Sequence, residues 1–222
     1  NRCVLNFVQE GHLMLNEGVP AAMIENLAKQ AGMPVGPLSL NDEVAIDLSW
    51  KILQATKKDL GTDAVDAGQE ALLDALLNTH GRQGRKNGKG FYDYPEKGSK
   101  TLWPGLADLQ KIKLDPDSLD WQDIKDRLLF VQSLEAARTV EDGVVVDPRE
   151  ADVGSILGFG FAPFTGGVLS MIDGMGVATF VARAKELQAR YGDRFAPCAL
   201  LVEMAAKGET FYGRFGVEKK AA

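Results

Sequence analysis

The side chains able to do chemistry are few and scattered. The two histidines, His12 and His80, are far apart, and neither has cysteines or carboxylates around it at metal-ligand spacing. His12 falls among apolar residues at helical spacing and reads as a core-edge histidine with its hydrogen bonds satisfied. Cys3 precedes an apolar helix face, where packing is a better reading than nucleophilic attack. Cationic side chains are densest between Gly81 and Gly90, where Arg82, Arg85, Lys86 and Lys89 alternate with glycines. That pattern fits a solvated loop or a contact to an anion. It is not a phosphate-binding fingerprint: Gly88-Lys89-Gly90 runs into an extended segment and Gly158-Phe159-Gly160 follows a helix, whereas a dinucleotide loop must leave a strand and open a helix. Glu10 and Glu135 occupy matched helix positions and suit pairing with arginine or capping a helix. As general bases they lack a neighbouring histidine.

The elements that would position these residues are helical almost throughout. Apolar residues recur at helical spacing in a first helix (Val4, Leu5, Val8, His12, Leu15) stopped by Gly18, and in a second opened by Pro20 and stopped by Gly32. Met33-Pro34-Val35-Gly36-Pro37 is a kinked loop, because two prolines in four residues exclude regular helix. Ser39 and Asp42 suggest a capping box leading into Val44, Leu48 and Ile52 as an inward face. Leu72, Ala75, Leu76 and Thr79 mark a further helix closed by Gly81. Phe91 to Pro95 is the one convincing extended segment of the first half. A long helix from Asp120 ends at Gly143. Asp147-Pro148-Arg149-Glu150 is a strong helix start, with Ile156 and Leu157 inward and Gly158 as its stop. Val177, Phe180, Val181, Ala184, Leu187 and Tyr191 form a clear amphipathic helix. Pro197 opens a last helix carrying Leu200, Leu201 and Met204.

Two units repeat within this order. Arg2, Glu10 and Gly18 recur as Arg127, Glu135 and Gly143 at a constant offset. Gly32 to Pro37 matches Gly158 to Pro163, and Asp42 matches Asp173 across a larger gap. The expected organisation is a first unit over 1–95, a linker over 96–118 tacked onto a domain surface by Leu102 and Trp103, and a second unit over 119–222. Such units can pair about a pseudo-twofold axis. The net charge of −6 gives no electrostatic support to nucleic-acid binding. No apolar run reaches the roughly 18 residues of a membrane span. Two distant cysteines suggest a reducing, cytoplasmic setting. The chain starts inside a helix, as a piece of a longer protein would, and only the polar tail from Glu218 is expected to be disordered.

Taken together, Asn1-Arg2 before an apolar helix with Glu10, Gly32-Met33-Pro34-Val35-Gly36-Pro37-Leu38, Asp42 and Asp47, and Gly88-Lys89-Gly90-Phe91-Tyr92-Asp93-Tyr94 resemble the C-terminal domain of 3-hydroxyacyl-CoA dehydrogenases. The second unit, through Asp147 to Asp152 and Gly158 to Phe164, is similar to the degenerate copy in multifunctional β-oxidation proteins of the fatty-oxidation-complex alpha-subunit type. The resemblance implies an all-α fold like the C-terminal domain of 6-phosphogluconate dehydrogenase. It also implies that NAD and a His–Glu acid–base pair belong to a separate Rossmann domain, and that no cofactor is held by these residues. Further implied are an enoyl-CoA hydratase/isomerase domain and a thiolase partner.

One catalytic residue of the family falls on Asn1, whose amide would donate to the substrate's 3-oxygen as hydride leaves C3. With no preceding backbone, Asn1 is expected to be loosely held. The second unit has Asp126 at that position. Pro37 and Leu38 line the acyl cleft or pack the core. Arg82, Arg85, Lys86 and Lys89 face either CoA phosphates or water. The expected function is the substrate-closing, dimer-like region of an NAD-dependent (3S)-3-hydroxyacyl-CoA dehydrogenase, inactive as this chain alone. The alternatives are a purely structural assembly module and a dehydrogenase restricted to 3-hydroxybutyryl-CoA.

Overall fold

A computed structural model describes residues 1–216; the polar tail from Glu218 lies outside the described residues. The fold is all-α. Its only sheet among the described residues is an antiparallel pair of two-residue strands, β1 (Tyr92–Asp93) and β2 (Thr101–Leu102).

The helices of the first half are α1 (Arg2–Glu17), α2 (Ala21–Gln30), α3 (Pro37–Val44), α4 (Ile46–Leu60), α5 (Ala67–Asp74) and the short α6 (Leu106–Leu109). Gly18 stops α1 and α5 continues as a π-turn through Thr79. Those of the second half are α7 (Trp121–Glu141), α8 (Pro148–Phe159), α9 (Val168–Met175), α10 (Val177–Tyr191), α11 (Ala199–Lys207) and α12 (Phe211–Phe215).

By packing the chain forms two compact units, each drawn from more than one stretch of sequence. One contains Val8–Lys29 and Val35–Trp121; the other contains Asn1–Phe7, Gln30–Pro34 and the described chain from Gln122. Residues 96–118 stay with the first of these. β2 completes the strand pair, the Gln110 amide donates to the Leu15 and Val19 carbonyls at 2.9 and 3.0 Å, and the Leu114 N–H donates to Gly18.

Each unit is held by a corresponding pair of carboxylates, both of them buried in the first unit. In the first, Glu25 of α2 accepts the Leu38 and Ser39 N–H groups at 2.8 and 3.3 Å, capping α3 from outside its own chain segment, and accepts the Tyr92 hydroxyl at 2.7 Å. In the second, Asp152 of α8 accepts the Leu169 and Ser170 N–H groups of α9 and the Tyr212 hydroxyl at 2.8 Å. A carboxylate at a helix N-terminus satisfies orphan donors and meets the positive end of the dipole. Both sites need a glycine beside the carboxylate. A Cβ on Gly36 would lie 2.2 Å from Glu25 Oε1, and one on Gly167 would lie 2.5 Å from Asp152. The second pair is Asp42, accepting the Phe91 and Tyr92 N–H groups, and Asp173, accepting those of Phe211 and Tyr212.

The two long helices that follow also match. Each starts after a residue at positive φ, Ala45 (φ 81°, ψ 130°) before α4 and Gly176 (φ 86°, ψ 121°) before α10. The break at Ala45 overturns one expectation. Val44, Leu48 and Ile52, whose spacing suggests an inward face, are 45%, 47% and 36% exposed, because the kink resets the helical phase and turns Ile46 and Leu53 inward instead. In α8 the buried face is Pro148, Asp152 and Ser155; Leu157, expected inside, is 82% exposed. The stop of α8 is Gly160, in the left-handed conformation, not Gly158. Ser39 is not a cap: α3 begins two residues earlier at Pro37, which suits a first-turn position lacking an N–H.

Candidate functional site

Asn1 stands at the start of α1, where its carbonyl accepts the Leu5 N–H at 3.0 Å. The next residue anchors this end. Arg2 reaches Glu135 of α7 through Nε at 2.5 Å and Asp142 at 2.9 Å, while Asn6 and Arg138 also donate to Glu135. Exposed ion pairs contribute little, but Glu135 is only 12% exposed in its side chain and holds three donors at once, so the start of α1 is fixed on α7 rather than loose. Glu135 thus does what its spacing suggested, pairing with arginine.

The Asn1 side chain is exposed and opens onto a cavity of about 310 Å³ lined by Cys3, Val145, Ala151, Gly154 and Phe159, among others. Burial pushes the Cys3 thiol up to about 11, so it is a poor nucleophile there. The counterpart of Asn1 in the second unit, Asp126, is engaged differently: its carboxylate accepts Arg183 Nε at 2.7 Å.

The other expected site residues are engaged by neighbours within their own compact unit. Leu38 is fully buried and its N–H is held by Glu25. Pro37 is buried against Gly11, whose Cβ position would lie 2.5 Å from the proline ring. Neither lines the cavity beside Asn1. Arg82 is neither solvated nor available to an anion. It is 5% exposed, donates to the Gly90 and Tyr92 carbonyls and to Asp93, and lies 4.1 Å from the Trp103 ring centroid. Arg85 pairs with Glu43 at 2.7 Å and Lys86 pairs with Asp47, so the local cationic charge is largely neutralised. Local spacing did not reveal these acidic partners, which come from elements 39 and 42 residues away.

His12 is fully buried rather than at the core edge. Its Nδ1 faces the Gln69 amide at 3.1 Å, its ring lies 5.3 Å from that of Phe91, and its Nε2 lacks a hydrogen bond. Burial holds its pKa down to about 4, against an ordinary 6.5, with only Asn41 favouring protonation. The unfolded chain therefore takes up this proton first as pH falls. The stability associated with a neutral His12 is intact above about 6.5 and is lost as pH falls towards 4. We expect His12→Phe to flatten the acid limb: the melting temperature of the wild type should fall relative to that of the variant between pH 7 and about 4.5. Parallel slopes in a pH series of thermal melts would exclude this role.

The repeated carboxylate sites, the all-α fold and an asparagine before an arginine-clamped helix narrow the relationship. The family model of the 3-hydroxyacyl-CoA dehydrogenase C-terminal domain matches residues 1–94 and 124–214. The chain belongs to that family. It is 38% identical over 213 residues to fatty acid oxidation complex subunit alpha of Shewanella amazonensis, covering 96% of this chain and 30% of that protein. The corresponding protein of Vibrio parahaemolyticus is also 38% identical, with 29% of its length covered. The chain thus spans under a third of the length of these curated relatives. Among solved structures, 3-hydroxybutyryl-CoA dehydrogenase from Escherichia coli aligns with a TM-score of 0.67 at 18% identity, over 93% of this chain and 59% of that one. The dehydrogenase part of multifunctional enzyme 1 from C. elegans aligns at 0.59 and 15%, over 90% and 46%. At such identities the shared property is the fold.

For a 3-hydroxyacyl-CoA dehydrogenase C-terminal domain, the groups that sequence reading missed are the paired carboxylate posts, Glu25 with Tyr92 and Asp152 with Tyr212. Their signal was present, as an acidic residue in each second helix and an aromatic residue near each unit's end.

Proposed function

We propose that this chain is the substrate-closing, pseudo-dimeric helical region of an NAD-dependent (3S)-3-hydroxyacyl-CoA dehydrogenase within a multifunctional, cytoplasmic β-oxidation protein. The observation that carries the reading is Asn1, an exposed residue that borders a largely apolar cavity at a helix end anchored by Arg2. An amide N–H aimed at the substrate's 3-oxygen would stabilise the charge that develops there and hold the carbinol in line.

The described residues do not fit a dinucleotide. They contain no parallel strand and no glycine-rich strand-to-helix turn, so NAD is assigned to a Rossmann domain elsewhere in the parent. The hydratase/isomerase domain and a thiolase subunit are further proposed partners. Of the two readings of Pro37 and Leu38, packing is favoured: they fix α3 against α1 within their own unit. For the second unit the assembly reading is favoured. It keeps the structural carboxylates Asp152 and Asp173 but has Asp126, tied to Arg183, in place of the asparagine.

The parent protein should reduce NAD when given a (3S)-3-hydroxyacyl-CoA, and this chain alone should not. NADH formation by the purified chain, or none by the parent, would sink the reading.

A further inference from the structure

The second, non-catalytic copy supplies most of the wall of the cavity beside Asn1. Val145, Ala151, Gly154, Phe159 and Val168 all come from it, whereas Asn1 and Cys3 come from the first copy. Two hydroxyls on this wall are turned away from the space. Thr139 donates to the Ala136 carbonyl at 2.6 Å, and Ser155 donates to Asp152 and accepts the Val168 N–H. Apart from Asn1, from Arg2, which is paired with Glu135 and Asp142, and from the exposed Glu150, the lining is apolar or has its hydroxyls satisfied, so most of it favours an apolar ligand. The lining residue Val144 is itself 67% exposed, which adds apolar surface beside the space. At about 310 Å³ the space sits at the small end of ligand pockets, enough for a single extended hydrocarbon tail.

We infer that this cavity receives the acyl tail of the CoA thioester, so that the degenerate copy sets chain-length preference while the first copy supplies Asn1. The inference rests on the dehydrogenase reading for the identity of the thioester. The apolar wall itself does not depend on that reading. The 3-oxygen held by Asn1 and the tail running into the cavity are parts of one molecule, which explains why Asn1 borders a largely apolar space.

Gly154 provides the test. It lies in α8 and no atom is within 4 Å of where its Cβ would be, so a side chain added there projects into open space without a clash. Helix propensity favours any such replacement, so Gly154→Leu should fold at least as well as the wild type. Calorimetric titration of the chain with butyryl-CoA and dodecanoyl-CoA, below the micelle concentration, should show the longer thioester binding at least about tenfold more tightly, as several buried methylenes require. Gly154→Leu should abolish that preference by weakening dodecanoyl-CoA binding, with the thermal melt unchanged and Gly154→Ala intermediate. Equal affinities for the two thioesters, or a length preference that survives Gly154→Leu, would overturn the assignment. The NADH assay on the parent is independent. A parent that makes no NADH refutes the dehydrogenase reading, while length-dependent binding lost in Gly154→Leu would still support the tail site.

Discussion

Asn1→Ala in the full-length parent should lower kcat for oxidation of a 3-hydroxyacyl-CoA by about 100-fold, with KM changed by less than about threefold. The magnitude follows from the proposed role. Removing one preorganised donor from a developing oxyanion costs about 2.7 kcal/mol, and nearly all of it appears in the transition state. Asn1→Asp should be worse, because it replaces the donor with a negative charge facing the same oxygen. A role confined to starting α1 predicts something else: a loss near 1 kcal/mol of stability and unchanged turnover. Asn1→Ser separates the two, since serine keeps a capping oxygen but not the amide's reach. The control is Asp126→Asn in the second copy, which should leave turnover as it was, because its partner is Arg183 and it has no part in the proposed chemistry. If Asn1→Ala turns over at the wild-type rate, the assembly reading replaces the catalytic one.

What the sequence made legible depended on range. Where the determinants are local, the reading holds in detail: the buried residues of α10 are Val177, Phe180, Val181, Ala184 and Leu187, all at the expected helical spacing. The last helix likewise buries Leu200, Leu201 and Met204. Where one backbone angle resets the phase, it fails. Nothing in the run from Ser39 to Ile52 announces the positive φ at Ala45, because the residue is not a glycine, so helical spacing alone puts the face on the wrong side. Long-range partners were invisible for a related reason. Arg82 looked like a surface cation because its acceptors, the Gly90 and Tyr92 carbonyls, are backbone atoms that no residue type reveals. Asp42 looked like a helix cap because its true donors lie 49 and 50 residues away. The repeat was legible in Asp42 and Asp173, which make equivalent bonds. Its alignment at the Gly/Pro loop was not. Gly36 corresponds in role to Gly167, and the 3-10 turn Pro163–Thr165 lengthens the second loop before the helix can start. As for the site, Asn1 came from resemblance, whereas the cavity beside it depends on α7 and α8 and could not be read from spacing.

Asp42→Ala should be the most damaging single change to the fold. Asp42 is fully buried and satisfies the Phe91 and Tyr92 N–H groups at 2.8 and 2.9 Å, together with the Tyr94 hydroxyl at 3.0 Å. Leaving two buried N–H groups without acceptors costs about 1–3 kcal/mol each, so a loss of about 3–5 kcal/mol is expected in urea unfolding. Asp173→Ala in the second copy removes the same two bonds from a more exposed place, where water can replace the lost acceptor at Tyr212. Its cost should be nearer 2 kcal/mol. Hydrogen exchange locates each effect. Protection should collapse at Phe91 and Tyr92 in one variant and at Phe211 and Tyr212 in the other, and equal losses in both would contradict the burial argument.

Asp42→Asn adds a test of charge. Burial pushes the Asp42 carboxyl up to about 6 despite the opposing pull of the Phe91 and Tyr92 N–H groups and the Tyr94 hydroxyl. The folded state therefore holds this proton more tightly than the unfolded chain, whose ordinary value is 3.8. The carboxyl's contribution is most favourable below 3.8 and declines as pH rises through about 6. Asparagine keeps one acceptor and cannot ionise, so the deficit of Asp42→Asn relative to the wild type should shrink as pH rises across that window. A deficit that widens instead would mean that the hydrogen bonds to the ionised carboxylate outweigh its burial.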